Sequence, residues 1–309
     1  MRYLIVGDII VDILRNNTML SYDNGGSAFN VAYLINQNDK NSQISLCGVA
    51  GNDFYFEKLL DYFNRYGWNV SLIKTIDDLA TNRIYINHDG HSSTYSIYCP
   101  SCHKLLWRDN TSLIKIPLTV KLDYDYAIFD NINIPNVELF IKKHSNSIKI
   151  MFDIDDTSIN NNDSKLDVEI KLKKLSNSFY VQINGETFNI IKKKLNLKTE
   201  LDITKYLRAE LISITRSSFG TTFLYHGHIF KMKFKIENII DNTGAGDSLM
   251  AAVVLATQKE NVEIDYIKEI SKKLITKTLK CFGSRPDSVK LDIQNISFNI
   301  CDICGGQYD

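Results

Sequence analysis

The sequence predicts an α/β protein with three layers, α/β/α, in which helices cover both faces of a central, mostly parallel sheet. Short apolar runs typical of buried strands alternate along the chain with amphipathic helical patterns, as expected for parallel sheets. The chain has 309 residues, of which 44% are hydrophobic and 23% are charged, so it can bury a large core. We therefore expect one domain over residues 1–309.

The predicted elements follow in this order. Strand-like runs are "YLIVGD" (3–8), "QISLCGV" (43–49), "YAIFD" (126–130), "IKIMFD" (148–153), "FYVQIN" (179–184) and "LISIT" (211–215). Helices are predicted over 27–37, where Ala28, Val31, Ala32 and Ile35 form one apolar stripe, over 53–67, ended by Gly67, and within 262–283.

Two segments break the alternation of strands and helices. The segment 83–98 resembles a β-hairpin turning at Asp89-Gly90, and 221–234 resembles another turning near His226-Gly227. A parallel sheet does not need a hairpin so early in the chain. We expect a small β-lid formed by about 13–24 and 82–100.

Charge and hydrophobicity exclude some partners. Lys plus Arg and Asp plus Glu number 36 each, so nothing favours nucleic acid or an anionic membrane. The longest apolar run, 249–256, is too short to span a bilayer. The start of the chain lacks a secretory pattern, and we expect a cytoplasmic protein.

The segment "DNTGAGD" (241–247) places a glycine-rich turn immediately before an apolar helix. Unpaired N–H groups at such a helix start, together with the helix dipole, favour an anion. Asp247 would repel that anion unless it accepts a proton from an attacking hydroxyl. The alternative is a purely structural cap. The phosphate-binding, dinucleotide-binding and nucleophile-elbow patterns do not match here, because Leu249 and Met250 replace required glycines and no Gly-Lys-Ser/Thr is present.

A second group of residues lies in the first thirty positions. Asp12 follows the first strand, and "GGSAFN" opens the first helix with Gly25 and Gly26 and places Asn30 one turn in. A carboxylate, accessible backbone amides and an amide side chain suit the hydroxyls of a polyol, although a tight capped turn explains the same residues.

Four segments, "GDIIVD", "GGSAFNVA", "GVAGND" and "DNTGAGDSLMAA", occur in an order and at separations that resemble the ribokinase-like (PfkB) carbohydrate kinases. The resemblance covers nearly the whole chain. It implies a ribokinase-like fold with a β-lid over the sugar, and transfer of the γ-phosphate of ATP to a sugar hydroxyl, with Mg²⁺ arriving with ATP. It also implies a homodimer through the lid as one assembly to expect.

The resemblance implies roles for individual positions. Asp247 resembles the catalytic base and Gly244, Ala245 and Gly246 the anion hole. Sugar-binding positions are Asp12, Gly25, Gly26 and Asn30. Nucleotide-binding positions are Asn184, Glu186, Thr215, Gly220 and Gly283, and Asp241 matches a position that in some members helps to bind a monovalent cation such as K⁺.

The departures from the family pattern lie mostly on the nucleotide side. Ser217 replaces the first glycine of T-x-G-x-x-G, and the N-x-x-E motif has Thr187 at its last position, with Glu186 one residue early. These changes are compatible with an active kinase or with a non-catalytic binding relative. The 12 residues between Asp12 and Gly25 resemble the fructokinase branch, so a ketose such as fructose is the first expectation and ribose or a nucleoside the second.

The six cysteines include two C-x-x-C pairs, Cys99/Cys102 and Cys301/Cys304. Such pairs bind zinc if folding brings them together, but about 200 residues separate them. We expect free thiols in a reducing compartment and keep a zinc site as the alternative.

Overall fold

The computed structural model describes residues 1–16, 19–88, 93–118, 122–259, 261–286, 291, 301 and 303–304. Its strands are β1 Arg2–Val6, β2 Ile10–Asn16, β3 Met19–Gly25, β4 Gln43–Gly51, β5 Asn69–Ile76, β6 Asn82–His88, β7 Ser93–Ser96, β8 Tyr126–Phe129, β9 Lys149–Ile154, β10 Tyr180–Asn184, β11 Leu211–Thr215, β12 Thr221–Tyr225 and β13 His228–Met232. Its α-helices are α1 Ser27–Asn38, α2 Phe54–Arg65, α3 Val137–His144, α4 Lys165–Lys174, α5 Gly185–Leu195, α6 Ala245–Ala256 and α7 Ile264–Leu279.

In the described ranges, nine strands form the central sheet in the order β13-β12-β11-β10-β9-β8-β1-β4-β5. The seven strands from β11 to β5 pair in parallel, and the hairpin β12–β13 adds two antiparallel strands at one edge. Because the strands are parallel, their carboxyl ends lie along one edge of the sheet, where ligands bind in open α/β folds.

The sheet is buried on both faces. Along β1, Tyr3 and Ile5 join the apolar cluster of α1, α2, α6 and α7, whereas Leu4 and Val6 join the cluster of α3, α4 and α5. Alternate side chains of a strand point to opposite faces, so these two clusters are the two interfaces of an α/β/α sandwich. The predicted fold class is confirmed.

A second sheet of four strands has the order β3-β2-β6-β7. Strand β2 pairs antiparallel with β3 and parallel with β6, and β6 pairs antiparallel with β7. This small sheet contains the early hairpin expected from the sequence, although its turn at 89–90 lies outside the described residues. We keep its role as a lid, and the division of the chain into one domain, as proposals.

Strand β5 is not predicted from the sequence. It is one of the two outer strands of the central sheet. Half-exposed or exposed residues occupy its whole length, so its sequence lacks an apolar run. Within the described part of the chain, no helix is long and apolar enough to cross a bilayer.

Candidate active site

The turn before α6 is shaped by Gly244. This residue is the N-cap of the helix, with φ of 79°, and a Cβ there would lie 2.6 Å from Cβ of Ser284. Only glycine fits a left-handed residue that touches a neighbouring segment so closely. The turn therefore carries the chain into α6 with the first backbone N–H groups of the helix, at 244–246, without intrahelical acceptors. Such N–H groups suit an anion, and anion binding at 244–246 stays a prediction.

Asp247 lies in the first turn of α6 and is buried. Its carboxylate accepts hydrogen bonds from the hydroxyl of Ser27 and, at 2.7 Å, from Nδ2 of Asn30. Both donors belong to α1, whose start is set by Gly26 with φ of 87°. Two helix starts distant in sequence thus meet at one carboxylate, and two of the predicted site residues, Asp247 and Asn30, are in contact.

A second carboxyl group, on Asp153 at the end of β9, lies beside this pair. Its oxygens contact Ser27 Oγ at 3.3 Å and Gln182 Nε2 at 3.2 Å, and Gln182 also donates to the carbonyl of Gly246 at 3.1 Å. Burial, followed by the charge of Asp247, raises the pKa of Asp153 to about 7. A hydroxyl carries one hydrogen, so Ser27 can donate to Asp247 while it accepts from a protonated Asp153.

Burial also raises the pKa of Asp247, against the hydrogen bonds from Ser27 and Asn30 and the positive charge of Arg285, which lower it. A general base works best when its pKa approaches the working pH. The environment of Asp247 moves its pKa in that direction.

Asp12 lies on β2 and is buried. Its carboxylate packs directly over Gly25, where a Cβ would lie 2.0 Å from Oδ1 of Asp12. The glycine is therefore needed to seat this side chain. The charges of Asp241, Asp12 and Asp247 all raise the pKa of Tyr95, after burial, which is the largest cause.

Strand β7 supplies two contacts that the sequence did not reveal. The hydroxyl of Tyr95 lies 2.7 Å from Oγ1 of Thr243, and Ser93 donates to Oδ1 of Asp241 at 2.8 Å. Serine, threonine and tyrosine are too common for a sequence signal here. These bonds attach the small sheet to the glycine-rich turn.

Asp241 is buried and accepts hydrogen bonds from three segments of the chain. Its Oδ1 also accepts from the N–H and hydroxyl of Thr243, at 2.9 and 2.7 Å, and its Oδ2 accepts from the N–H of Gly283 at 3.1 Å. These hydrogen bonds hold the pKa of Asp241 below its usual value, although burial alone would raise it. Two of the predicted site residues, Asp241 and Gly283, are thus in contact, and a cation at Asp241 stays a prediction.

Arg285 is a buried cation near Asp247, and the sequence analysis did not identify it. Its Nη2 lies 3.1 Å from Oδ1 of Asp23 on β3, and both side chains are almost fully buried. Among the described residues, its Nε and Nη1 have no hydrogen-bond partner, and neither has Oδ1 of Asn30. Buried polar groups in proteins are normally bonded, so these atoms are candidates for contacts with a bound ligand.

The predicted nucleotide positions lie farther along the same edge of the sheet. Asn184 and Thr215 end the neighbouring strands β10 and β11 and are paired in register, and Gly220, with φ of 95°, leads into β12. Asn184 caps α5 by accepting from the N–H of Thr187 at 2.8 Å, and Glu186 is exposed in the first turn. The carboxylate of Glu186 is therefore accessible at this edge.

Ser217 shows why a glycine is expected in the loop after β11. Its φ is 47°, in the left-handed region that glycine occupies without strain. The backbone at this position therefore has the conformation typical of glycine, although a serine occupies it.

Comparisons with known proteins agree with this geometry. Residues 4–265 match the model of the pfkB family carbohydrate kinases. No curated protein matches the chain significantly in sequence. The fold is similar to that of a Methanocaldococcus jannaschii nucleoside kinase, an archaeal member of the ribokinase family, with a TM-score of 0.72 and 18% identity over 93% of this chain and 94% of the other.

Two further structures are similar at 14% identity. A Burkholderia thailandensis nucleoside kinase in complex with inosine has a TM-score of 0.70 and covers 93% of both chains. A Vibrio cholerae fructokinase with bound fructose, ADP and calcium ion has a TM-score of 0.67, over 92% of this chain and 94% of the other. Since the family model spans most of the chain, this protein belongs to the PfkB family of carbohydrate kinases.

Proposed function

We propose that this protein transfers the γ-phosphate of ATP to a hydroxyl group of a sugar, with Asp247 as the general base. The observation that carries the proposal is the position of this buried carboxylate, one turn inside a glycine-capped helix start whose N–H groups suit a phosphate. An acid in such a place is useful if it removes a proton while the amides hold the transferred group.

The residues act in three parts. Asp12, Gly25, Gly26 and Asn30 bind and orient the acceptor, so that its hydroxyl meets the carboxylate of Asp247. Ser27 and Asn30 fix the carboxylate by the hydrogen bonds already described. Gly244, Ala245 and Gly246 offer backbone N–H groups to the phosphoryl oxygens as negative charge develops on them.

The nucleotide occupies the edge formed by Asn184, Thr215 and Gly220, with Gly283 beyond Asp241. Mg²⁺ is expected to arrive with ATP, bound mainly through its phosphates, with Glu186 as the accessible carboxylate, and to offset phosphate charge.

The acceptor is the finer part of the proposal. A ketose such as fructose is the first candidate, supported by the short connection between Asp12 and Gly25, whose described residues belong to the paired strands β2 and β3. Ribose or a nucleoside is the second candidate, and the similarity in fold to two nucleoside kinases supports it.

The test is ADP release with ATP and Mg²⁺ across a panel of ketoses, aldoses and nucleosides. With the best acceptor, Asp247→Asn is expected to reduce kcat by about 10²–10⁴-fold, the usual contribution of a general base. The matched control is Asp125→Asn. Asp125 lies just before the amino end of β8, away from the carboxyl ends of the strands, and accepts a hydrogen bond from the N–H of Arg2. This variant should keep the wild-type rate.

Two outcomes would contradict the proposal. Full activity of Asp247→Asn would reject the assigned base. Thermal stabilisation by a sugar or nucleotide without turnover of any acceptor would indicate a binding protein instead.

A further inference from the structure

The four cysteines of the two C-x-x-C pairs converge at one point. Their Sγ atoms all lie within 4.8 Å of one another, with Cys99 3.7 Å from Cys301 and Cys102 3.5 Å from Cys304. A tetrahedral zinc ion with Zn–S bonds of about 2.3 Å holds its sulfurs about 3.8 Å apart. We propose that these four thiolates form a structural zinc site that joins the C-terminal tail to the small sheet.

The first pair has a backbone suited to this role. It lies in a turn closed by the bridge between Tyr98 and Leu105, in which the N–H of Cys99 donates to the carbonyl of Lys104 and the N–H of His103 to the carbonyl of Cys99, both at 2.9 Å. The turn is completed by His103, which has φ of 57°. A C-x-x-C pair in a tight turn is typical of structural zinc ligands.

The second pair, Cys301 and Cys304, has the same C-x-x-C spacing in the tail, and both cysteines are buried. Two cysteine pairs about 200 residues apart in sequence therefore meet with all four sulfurs within 4.8 Å of one another. Four cysteine ligands fill a tetrahedral zinc and leave no open position, which is typical of a structural site.

Contacts other than the sulfurs also position the tail. The hydroxyl of Tyr22 on β3 donates to the carbonyl of Ile303 at 2.9 Å, and Nη1 of Arg83 on β6 donates to that of Cys304 at 2.7 Å. The hydroxyl of Tyr55 on α2 donates to the same carbonyl of Cys304. These contacts preorganise the ligands.

Charge and covalent state are also consistent with zinc. Zn²⁺ with four thiolates has a net charge of −2, and binding releases up to four protons to solvent. The guanidinium of Arg83, which is buried, offsets part of this charge. The alternative is two disulfides, but their S–S bonds measure about 2.05 Å. All six cysteines are free thiols here.

The site is separate from the proposed catalytic chemistry, so its test does not depend on finding an acceptor. Metal analysis of purified protein is expected to give one zinc per chain. The variant Cys301→Ser/Cys304→Ser should lose it, and Cys281→Ser, which removes a cysteine outside the cluster, should retain it. Zinc in the wild type no higher than in the double variant would overturn the proposal.

Since the double variant can fail to fold, a second measurement uses the wild type. Protein stripped by a chelator and reloaded with Co²⁺ should show the intense visible absorption of a tetrahedral thiolate site, with one Co²⁺ bound per chain. Weak absorption typical of octahedral Co²⁺ would refute the site. So would alkylation and mass spectrometry showing that Cys99 and Cys102 form disulfides with the tail cysteines in freshly purified protein.

Discussion

Replacing Gly244 by alanine should destabilise the protein by about 1–5 kcal/mol. The left-handed φ of 79° costs a residue with a Cβ about 1–2 kcal/mol. The new Cβ lies 2.6 Å from Cβ of Ser284, and relieving such an overlap in a packed region costs about 1–3 kcal/mol. The smaller conformational freedom of alanine in the unfolded chain offsets about 0.4–1 kcal/mol.

Gly246→Ala is the matched control, two residues away in the same helix. Its φ is not positive, and the nearest atom to its new Cβ is Nε2 of Gln182, at an ordinary 3.5 Å. Alanine is better than glycine in a helix by about 1 kcal/mol, so this variant should be neutral or slightly stabilised.

Urea unfolding, followed by circular dichroism, measures both effects. The double variant Gly244→Ala/Ser284→Gly should recover part of the loss, because it removes the closest contact but not the left-handed φ. If Gly244→Ala and Gly246→Ala unfold at the same urea concentration, the steric account of this turn is incorrect.

Three other predictions concern the left-handed residue Ser217, the carboxyl group of Asp153 and the buried ion pair of Asp23 and Arg285. Ser217→Gly should stabilise the protein by about 0.5–1 kcal/mol, because glycine relieves φ of 47°, whereas Ser218→Gly next to it should not; equal effects in urea unfolding would contradict this. The pKa of the Asp153 carboxyl is 3.8 in the unfolded chain and about 7 in the folded protein. The stability that this difference contributes is fully present below pH 3.8 and is lost as the pH rises through 7. The free energy of unfolding of Asp153→Asn, relative to that of the wild type, should therefore rise by about 2–3 kcal/mol from pH 5 to pH 8. A difference independent of pH would refute the shift. Asp23→Asn should cost about 3–5 kcal/mol in the free energy of unfolding by leaving Arg285 buried and unpaired, and Asp23→Leu/Arg285→Met should recover most of it; an equal loss in both variants would show that the ion pair is not the cause.

Local signals in the sequence were sufficient for the catalytic half of the site. The acid of "DNTGAGD" and the amide of "GGSAFN" each follow a glycine at a helix start, and helix starts can be recognised from neighbouring residues alone. Burial and strand order then bring Asp247 and Asn30 into contact. Both residues were expected in the site, but their direct hydrogen bond and the position of Ser27 between Asp247 and Asp153 were not, because they depend on distances between elements far apart in sequence.

The sequence by itself determined the α/β class, the positions of most buried strands and the glycine-capped acid, because each is a property of a few consecutive residues. Tertiary structure alone decided three other features. It placed β7 against the glycine-rich turn, it buried Arg285 opposite Asp23, and it brought together four cysteines that we expected to be unrelated thiols. Local periodicity carries no information about which distant segments meet, since the packing of the whole chain determines those contacts.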